Sequence, residues 1–409
     1  RVAQSKMAER QGESVMEMLA APQGLLLVAW MAQAGAATLL CWWYLHLLGR
    51  LQPAPGTLPP VLVLVPLRGP LPGLEAFLSA LGSQAYEGAW HLVLALEHGN
   101  DPAYPAAARF VAAQPERATL VLAGAAAMRG QKVQNLLAAL DALRPDDAVV
   151  VTLDADIIPP PDLLARLLRP VLSGQAQIAS GYRWTLPADD ASGSELVALA
   201  EMGIATLPRC ARCNLCWGGA TAIRRDALDL PRVWDRAVSD DLMLTRAARA
   251  AGLLIYAPLD VRPPAPAGFA TLRDALRFGA RQYRVLRLHA PRAFALALAA
   301  AALPVAGGAA VLLVMPTPVS LACLVAALAL QRLRARLRRR IAARVLPAEA
   351  AALAARTLRR GAWLQPLVPA FQLLCLLAAL AGGRRLDWAG RRYRVDRGGV
   401  VSAVQRGPA

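Results

Sequence analysis

Residues 25–48 (LLLVAWMAQAGAATLLCWWYLHLL) carry no formal charge and close on the aromatic cluster Trp42, Trp43 and Tyr44. A helix of about 20 apolar residues crosses the hydrocarbon core of a bilayer, and aromatic side chains gather at the headgroup layer. The stretch therefore reads as a retained transmembrane helix. A cleaved signal peptide fits less well, because the run is long, no A-x-A site follows it, and a polar leader at residues 1–24 precedes it.

The rest of the chain agrees with a membrane setting. Hydrophobic residues make up 56% of its 409 positions, more than an ordinary soluble domain carries, so a water-facing domain fused to membrane segments is expected. The net charge of +17 is almost wholly arginine, with Lys6 and Lys132 the only lysines. Such a balance suits nucleic acid, anionic lipid or phosphate-bearing substrates alike; the apolar segments point to lipid. Of six cysteines, Cys41, Cys323 and Cys375 lie in apolar stretches and Cys210, Cys213 and Cys216 sit together. This is not the disulfide framework of a small secreted domain, and a reducing compartment follows.

After a Pro/Gly linker at residues 51–60, short apolar runs alternate with helical segments. VLVLVP (61–66), HLVLALE (91–97), ATLVLAG (118–124) and AVVVTLDAD (148–156) read as buried parallel strands. GLEAFLSALGSQ and VQNLLAALDAL between them read as helices. Strand and helix in alternation imply a doubly wound α/β domain, whose ligands bind at the carboxyl ends of the strands. Beyond residue 290, residues 293–330 are nearly all apolar, and 331–360 hold ten arginines, as an amphipathic interfacial helix pair would. A further apolar run (364–381) and a basic tail (382–409) follow. Both arginine-rich segments should face the cytoplasm. Three full C-terminal spans would put one of them outside, so at least one of these segments is expected to be re-entrant or interfacial.

VVVTLDADIIPPPDLL carries the strongest chemical signal. Residues two apart on an extended chain point the same way, so Asp154 and Asp156 can face one hard divalent cation that also grips phosphate. A solvated turn is the plain alternative. In RAVSDDLMLTRAARAAG, Ser239 or Asp240 can cap a helix with an apolar face of Leu242, Met243, Ala247 and Ala250. Asp240 and Asp241 then serve as helix-start charges, or one of them takes a proton from an attacking hydroxyl. Cys210-x-x-Cys213-x-x-Cys216 has metal-like spacing without a fourth ligand; small residues near a site mouth are the alternative. The Arg332–Arg344 stretch lies between apolar runs, which favours anionic lipid headgroups over nucleic acid.

Taken in order, residues 59–290 resemble the family 2 and family 21 glycosyltransferases of GT-A fold, the group that includes ceramide glucosyltransferase and bacterial enzymes of hopanoid biosynthesis. The resemblance is carried by VLVPLRG (63–69), LEHGNDPA (96–103), RGQKVQNL (129–136), LDAD, CWGGATAIRRDAL (216–228), VSDDLMLTRAARAAG and RQYRV (281–285), and extends to the WAGRRYRV tail. No single motif is specific, but the ordered set is.

The resemblance implies an α/β domain with a Rossmann-like mixed sheet between N- and C-terminal transmembrane helices, in the bacterial cytoplasmic membrane with its catalytic domain inside. It implies transfer of glucose or N-acetylglucosamine from a UDP-sugar to a ceramide- or hopanoid-type lipid hydroxyl. Donor contacts fall to Pro66, Arg68, Glu97 or Asp101, Lys132, Asn135, Asp154, Arg281 and Arg284. Asp154 and Asp156 would hold Mg²⁺ or Mn²⁺, and Asp241, beside Asp240, would be the general base of a single inverting displacement. Trp217, Gly218 and Gly219 would line the acceptor mouth. The sequence departs from the pattern at Glu97, where the family has aspartate, and at Val285, where it has tryptophan. The second departure argues against a processive polysaccharide synthase, which is one rival reading. A non-catalytic membrane scaffold is the other, and the intact carboxylates argue against it.

Overall fold

The computed structural model describes residues 22–50, 58–208, 210–217, 219–314, 317–388, 390–396 and 398–406. Most of the expected leader and linker, and Gly218, lie outside the described residues. The chain starts with helix α1 (Pro22–Leu48) and continues through β1 (Val61–Pro66), α2 (Leu74–Gly82), β2 (Trp90–Leu96), α3 (Tyr104–Ala113), β3 (Ala118–Leu122), α4 (Gln131–Leu140), β4 (Val149–Leu153) and α5 (Leu163–Leu172). Neighbouring side chains of a strand point to opposite faces, and both faces of this sheet are covered. Val61, Val63 and Val65 meet Phe77 and Leu81 of α2 and Leu164 and Leu168 of α5. Leu62 and Leu64 meet Val133 and Leu136 of α4. That double burial is why the strands are apolar without alternation.

The second half of the sheet is mixed. It adds β5 (Ile178–Ser180), β6 (Trp184–Pro187), α6 (Ser192–Ala205), β7 (Ala220–Arg224), α7 (Leu230–Trp234), α8 (Asp240–Ala250), β8 (Ile255–Tyr256) and β9 (Pro264–Ala267). The seven-stranded order is β3-β2-β1-β4-β7-β5-β8, with β1 to β4 parallel and β7 antiparallel to both β4 and β5. The buried face of α8 is Leu242, Leu244, Thr245 and Ala248. This corrects the expected face: Met243 and Ala247 are half-buried and Ala250 is exposed.

Helix α9 (Leu272–His289) leads to α10 (Pro291–Ala309), α11 (Pro318–Val345), α12 (Ala348–Arg360) and α13 (Val368–Ala381). Among the described residues three helices are long and apolar enough to cross a membrane: Gly24–Leu48, Pro291–Leu312 and Pro318–Val345. A fourth candidate, Ala348–Arg360 with Gln365–Ala381, is bent by 83°. Residues 331–345 do not form a separate helix. They continue α11, because Thr317 and Ser320 form a capping box at its start and no glycine or proline interrupts it before Pro347. Helix α1 is tied to this layer by Arg334 Nη1 donating to the Ala34 carbonyl (3.0 Å) and to the catalytic layer by the Tyr44 hydroxyl donating to Leu259 (2.6 Å).

Residues 385–406, expected as a basic tail, instead form an antiparallel sheet of β10 (Arg385–Trp388), β11 (Arg391–Val395) and β12 (Val401–Arg406). Leu386, Tyr393, Val395 and Val401 point inward on Val238, Leu242, Val285 and Leu288, while many arginines point out. The period of two that makes a one-sided sheet is present, hidden by arginine content.

Candidate active site

Two glycines let the chain close over the carboxyl end of β4. Gly130 donates its N–H to the Ala237 carbonyl (2.8 Å), and a Cβ on it would fall 2.6 Å from the Val238 carbonyl oxygen. Only glycine permits that approach, which sets the start of α4, and Lys132 with it, against the start of α8. Gly219 has φ +74°, accepts the Asp154 N–H (2.8 Å), and would place a Cβ 3.3 Å from Asp154 Oδ2. Asp154 and Asp156 then leave β4 facing the cleft.

Ser239 is the cap of α8, its Oγ accepting from the Leu242 N–H (3.3 Å), so neither aspartate serves that purpose. Thr245 Oγ1 donates to the Asp241 carbonyl (2.9 Å) and accepts from the Cys216 N–H (2.8 Å), which fastens the Trp217 segment to the helix. Lys132 Nζ bridges Asp154 Oδ1 (2.7 Å) and Asp240 Oδ2 (2.9 Å). Arg183, between β5 and β6, holds Asp156 Oδ2 at 2.9 Å. The Asp241 carboxylate has no ion-pair or hydrogen-bond partner among the described residues, yet it lines the cleft.

Electrostatics separate these groups. Burial works against the Lys132 charge, but Asp154, Asp240 and Asp241 more than offset it, and Nζ keeps its proton well above the usual lysine range. Burial pushes Asp154 up, but Lys132 and Arg183 pull it down further, leaving its carboxyl below the ordinary value. Asp241 is pushed up to about 7, first by burial and then by the neighbouring Asp240 charge. A carboxylate poised near neutral pH is what proton abstraction from a hydroxyl requires.

The cleft encloses ≈ 530 Å³, a size suited to a small-molecule ligand. Of the residues expected in the site, Pro66, Arg68, Lys132, Asn135, Asp154, Asp156, Trp217, Gly219, Asp240, Asp241 and Arg281 line it. Four of the expected residues behave differently. Asn135 spends its amide on the Leu67 and Ala95 carbonyls (both 3.1 Å), pinning the ends of β1 and β2. Asp101 accepts from the Gly69 N–H with both oxygens (2.9 and 3.0 Å), fastening the loop after β1. Glu97 is taken by Arg391 (2.5 Å). Arg284 turns away to the Ala378 and Arg385 carbonyls (3.3 Å each), drawn to the negative end of α13. Gln131, Arg183, Phe278, Trp388 and Tyr393 also line the cleft. Gln131 lies within RGQKVQNL, and Trp388 and Tyr393 within WAGRRYRV, segments that carried the resemblance without giving these residues a role; Arg183 and Phe278 lie in no such segment.

Among the described residues no three His, Cys, Asp or Glu side chains gather into a metal cage. Cys216 is buried, while Cys210 and Cys213 are exposed. Asp154 and Asp156 supply two carboxylates on the cleft wall, a donor set that fits a hard cation completing its shell with phosphate oxygens and water.

The glycosyl transferase family 21 model matches residues 25–401. No curated protein sequence matches the chain. Among solved structures, a mannosyltransferase from Pyrobaculum calidifontis, solved with GDP-Man and Mn²⁺, is 21% identical, with 88% of this chain and 99% of that one covered and a TM-score of 0.50. Glucosyl-3-phosphoglycerate synthase from Mycobacterium tuberculosis, solved with phosphoglyceric acid, is 18% identical over 54% of this chain and 75% of its own, with a TM-score of 0.35. The first of these likenesses identifies the fold as GT-A, an α/β architecture with a mixed sheet. The family match reaches from the first helix able to span a membrane to the start of β12, and the chain belongs to glycosyl transferase family 21.

Proposed function

We propose that this glycosyltransferase moves one hexose-type sugar from a nucleoside diphosphate donor to the hydroxyl of a membrane lipid, with inversion. The observation that carries the reading is the unpartnered Asp241 carboxylate, raised to about 7, in the same cleft as the Lys132–Asp154 pair at the end of β4. Asp241 takes the acceptor's hydroxyl proton, the acceptor oxygen bonds the anomeric carbon, and the bond to the donor phosphate breaks with its electron pair leaving on the diphosphate. Asp154 and Asp156 would hold Mg²⁺ or Mn²⁺, which would neutralise charge developing on that leaving group. Lys132 stays protonated and holds the Asp154 and Asp240 carboxylates in place. Arg68 and Arg281 lie on the same wall as cations for phosphate.

A lipid acceptor is supported by the surface around the helices. Leu296, Leu312 and Val325 on α10, the turn after it and α11 are 72%, 66% and 66% exposed, and Trp363 at the bend beyond α12 is 84% exposed. Such a belt suits acyl chains and a headgroup anchor. If α1, α10 and α11 each cross once and the bent pair is re-entrant, the catalytic domain, the arginine-rich end of α11 and the C-terminal sheet share the cytoplasmic side. The Pyrobaculum mannosyltransferase was solved with GDP-Man and Mn²⁺, which supports a nucleotide donor with a divalent cation. The motif set favours a UDP-sugar, with glucose or N-acetylglucosamine as the sugar and a ceramide- or hopanoid-type acceptor.

The test is incubation of purified protein and Mn²⁺ with a bacterial lipid extract and, separately, UDP-glucose, UDP-N-acetylglucosamine or GDP-mannose. Mass spectrometry should find one lipid heavier by one sugar, with Asp241→Asn abolishing the gain. A ladder of additions would identify a polymerase. No addition with any donor, and no metal-dependent nucleotide binding, would identify a scaffold.

A further inference from the structure

Trp388 and Tyr393 bring the C-terminal sheet to the lining of the cleft. In the β10–β11 hairpin Trp388 pairs directly across from Arg391, and directly opposed residues of an antiparallel pair project from the same face. The two side chains have different partners: Trp388 meets Arg281, and Arg391 meets Glu97 and Gln131. The Trp388 ring lies 5.9 Å from the Arg281 guanidinium, which the Phe278 ring approaches from its own helix at 5.5 Å. Arg281 is thus held by two aromatic faces, as a planar guanidinium prefers. Burial and the nearby Arg183 both press on its charge, and among the described residues no carboxylate pairs with it.

Arg391 donates to Glu97 Oε1 (2.5 Å) and to Gln131 Oε1. Gln131 in turn accepts from the Ala126 N–H and donates to Asn135 (both 2.8 Å), which pins β1 to β2. Arg68, 4.0 Å from Glu97, keeps a buried Nη1 without a hydrogen-bond partner among the described residues. The hairpin's partner strand β12 is anchored, with the Val401 N–H donating to the Arg236 carbonyl and Arg236 Nη2 donating back to the Val401 carbonyl (2.8 and 2.9 Å).

We infer that the β10–β11 hairpin is a working part of the donor site. Trp388 aims Arg281 at the diphosphate, and Arg391 fixes Glu97 and Gln131 at the nucleoside end. Both are positioning residues, and the inference rests on the reading of the cleft as a nucleoside diphosphate site.

The experiment is calorimetric titration of the full-length protein in detergent, with Mn²⁺ present, against UDP and against inorganic pyrophosphate. Trp388→Ala should weaken both probes by roughly tenfold, and Trp388→Phe should recover most of the loss. Arg391→Gln should weaken UDP by roughly tenfold and leave pyrophosphate within about twofold. Wild-type affinities in both alanine and glutamine variants would overturn the inference. So would equal loss of both probes in every variant, including Trp388→Phe, since that is the mark of a merely structural hairpin. A wild-type protein that binds neither probe would overturn the donor reading along with it.

Discussion

The two walls of the cleft are held by different physics. On the β4 side, opposite charges are paired at short range on rigid elements: Lys132 joins the end of a parallel strand to the start of α8. On the hairpin side, contacts run from arginines to rings and to single acceptors, on strands that close the chain's last sheet. In the proposed reading, the first wall fixes the atoms that react and the second aligns the groups that hold the donor.

That contrast predicts losses of different kinds. Asp241→Asn should lower kcat by about 10²–10⁴-fold, the usual contribution of a general base, while metal-dependent nucleotide affinity stays within about twofold of wild type. Initial rates and calorimetry on one preparation separate the two effects. Equal losses in both would erase the distinction between the walls.

Lys132→Met leaves Asp154 and Asp240 facing each other without their shared cation, at a cost of about 3–5 kcal/mol for an orphaned pair of this kind. Adding Asp240→Asn removes one of the stranded charges, so the double variant should melt above the Lys132→Met single variant in a thermal unfolding scan. If the second change lowers the melting temperature further, the bridge is not what holds this wall.

The pH profile makes a finer distinction. Asp241 must be ionised to accept a proton and is pushed up to about 7, so activity should fall as pH drops through that value. Asp240 is one cause of the rise, so Asp240→Asn should move the acid limb of kcat/KM to lower pH. A limb that stays in place would remove Asp241 from the role. The smallest effect belongs to the hairpin's outer face. Arg392, half-buried and 2.8 Å from Asp387, sits beside Arg391 in sequence but does not line the cleft. Its replacement by alanine should change stability by less than about 0.5 kcal/mol and leave both probe affinities unchanged.

Legibility in the sequence followed the same division. Strands β1 to β4 stood out because double burial writes an unbroken apolar run, and Asp154, Asp156, Lys132 and Asp241 stood out because each is a charge at the end of such a run or at a helix start. Strands of the second half are as short as two residues (β8), too short to carry a period. Arg183 was silent because a lone arginine between strands has no pattern. The C-terminal sheet was read as a tail because its arginines outweigh the alternation of Leu386, Tyr393 and Val395. The motif puts Arg284 in the site, but one turn of α9 takes it from the cleft to the carbonyls of Ala378 in α13 and Arg385 in β10.

The anomeric configuration of the product is the most direct test of a lone base acting opposite the leaving diphosphate. Purified glycolipid made from an α-linked nucleotide sugar should show, by the proton coupling at its anomeric centre, a β-linkage. An α-linked product would require a second displacement or a different attacking face, and Asp241 could not then be the base described.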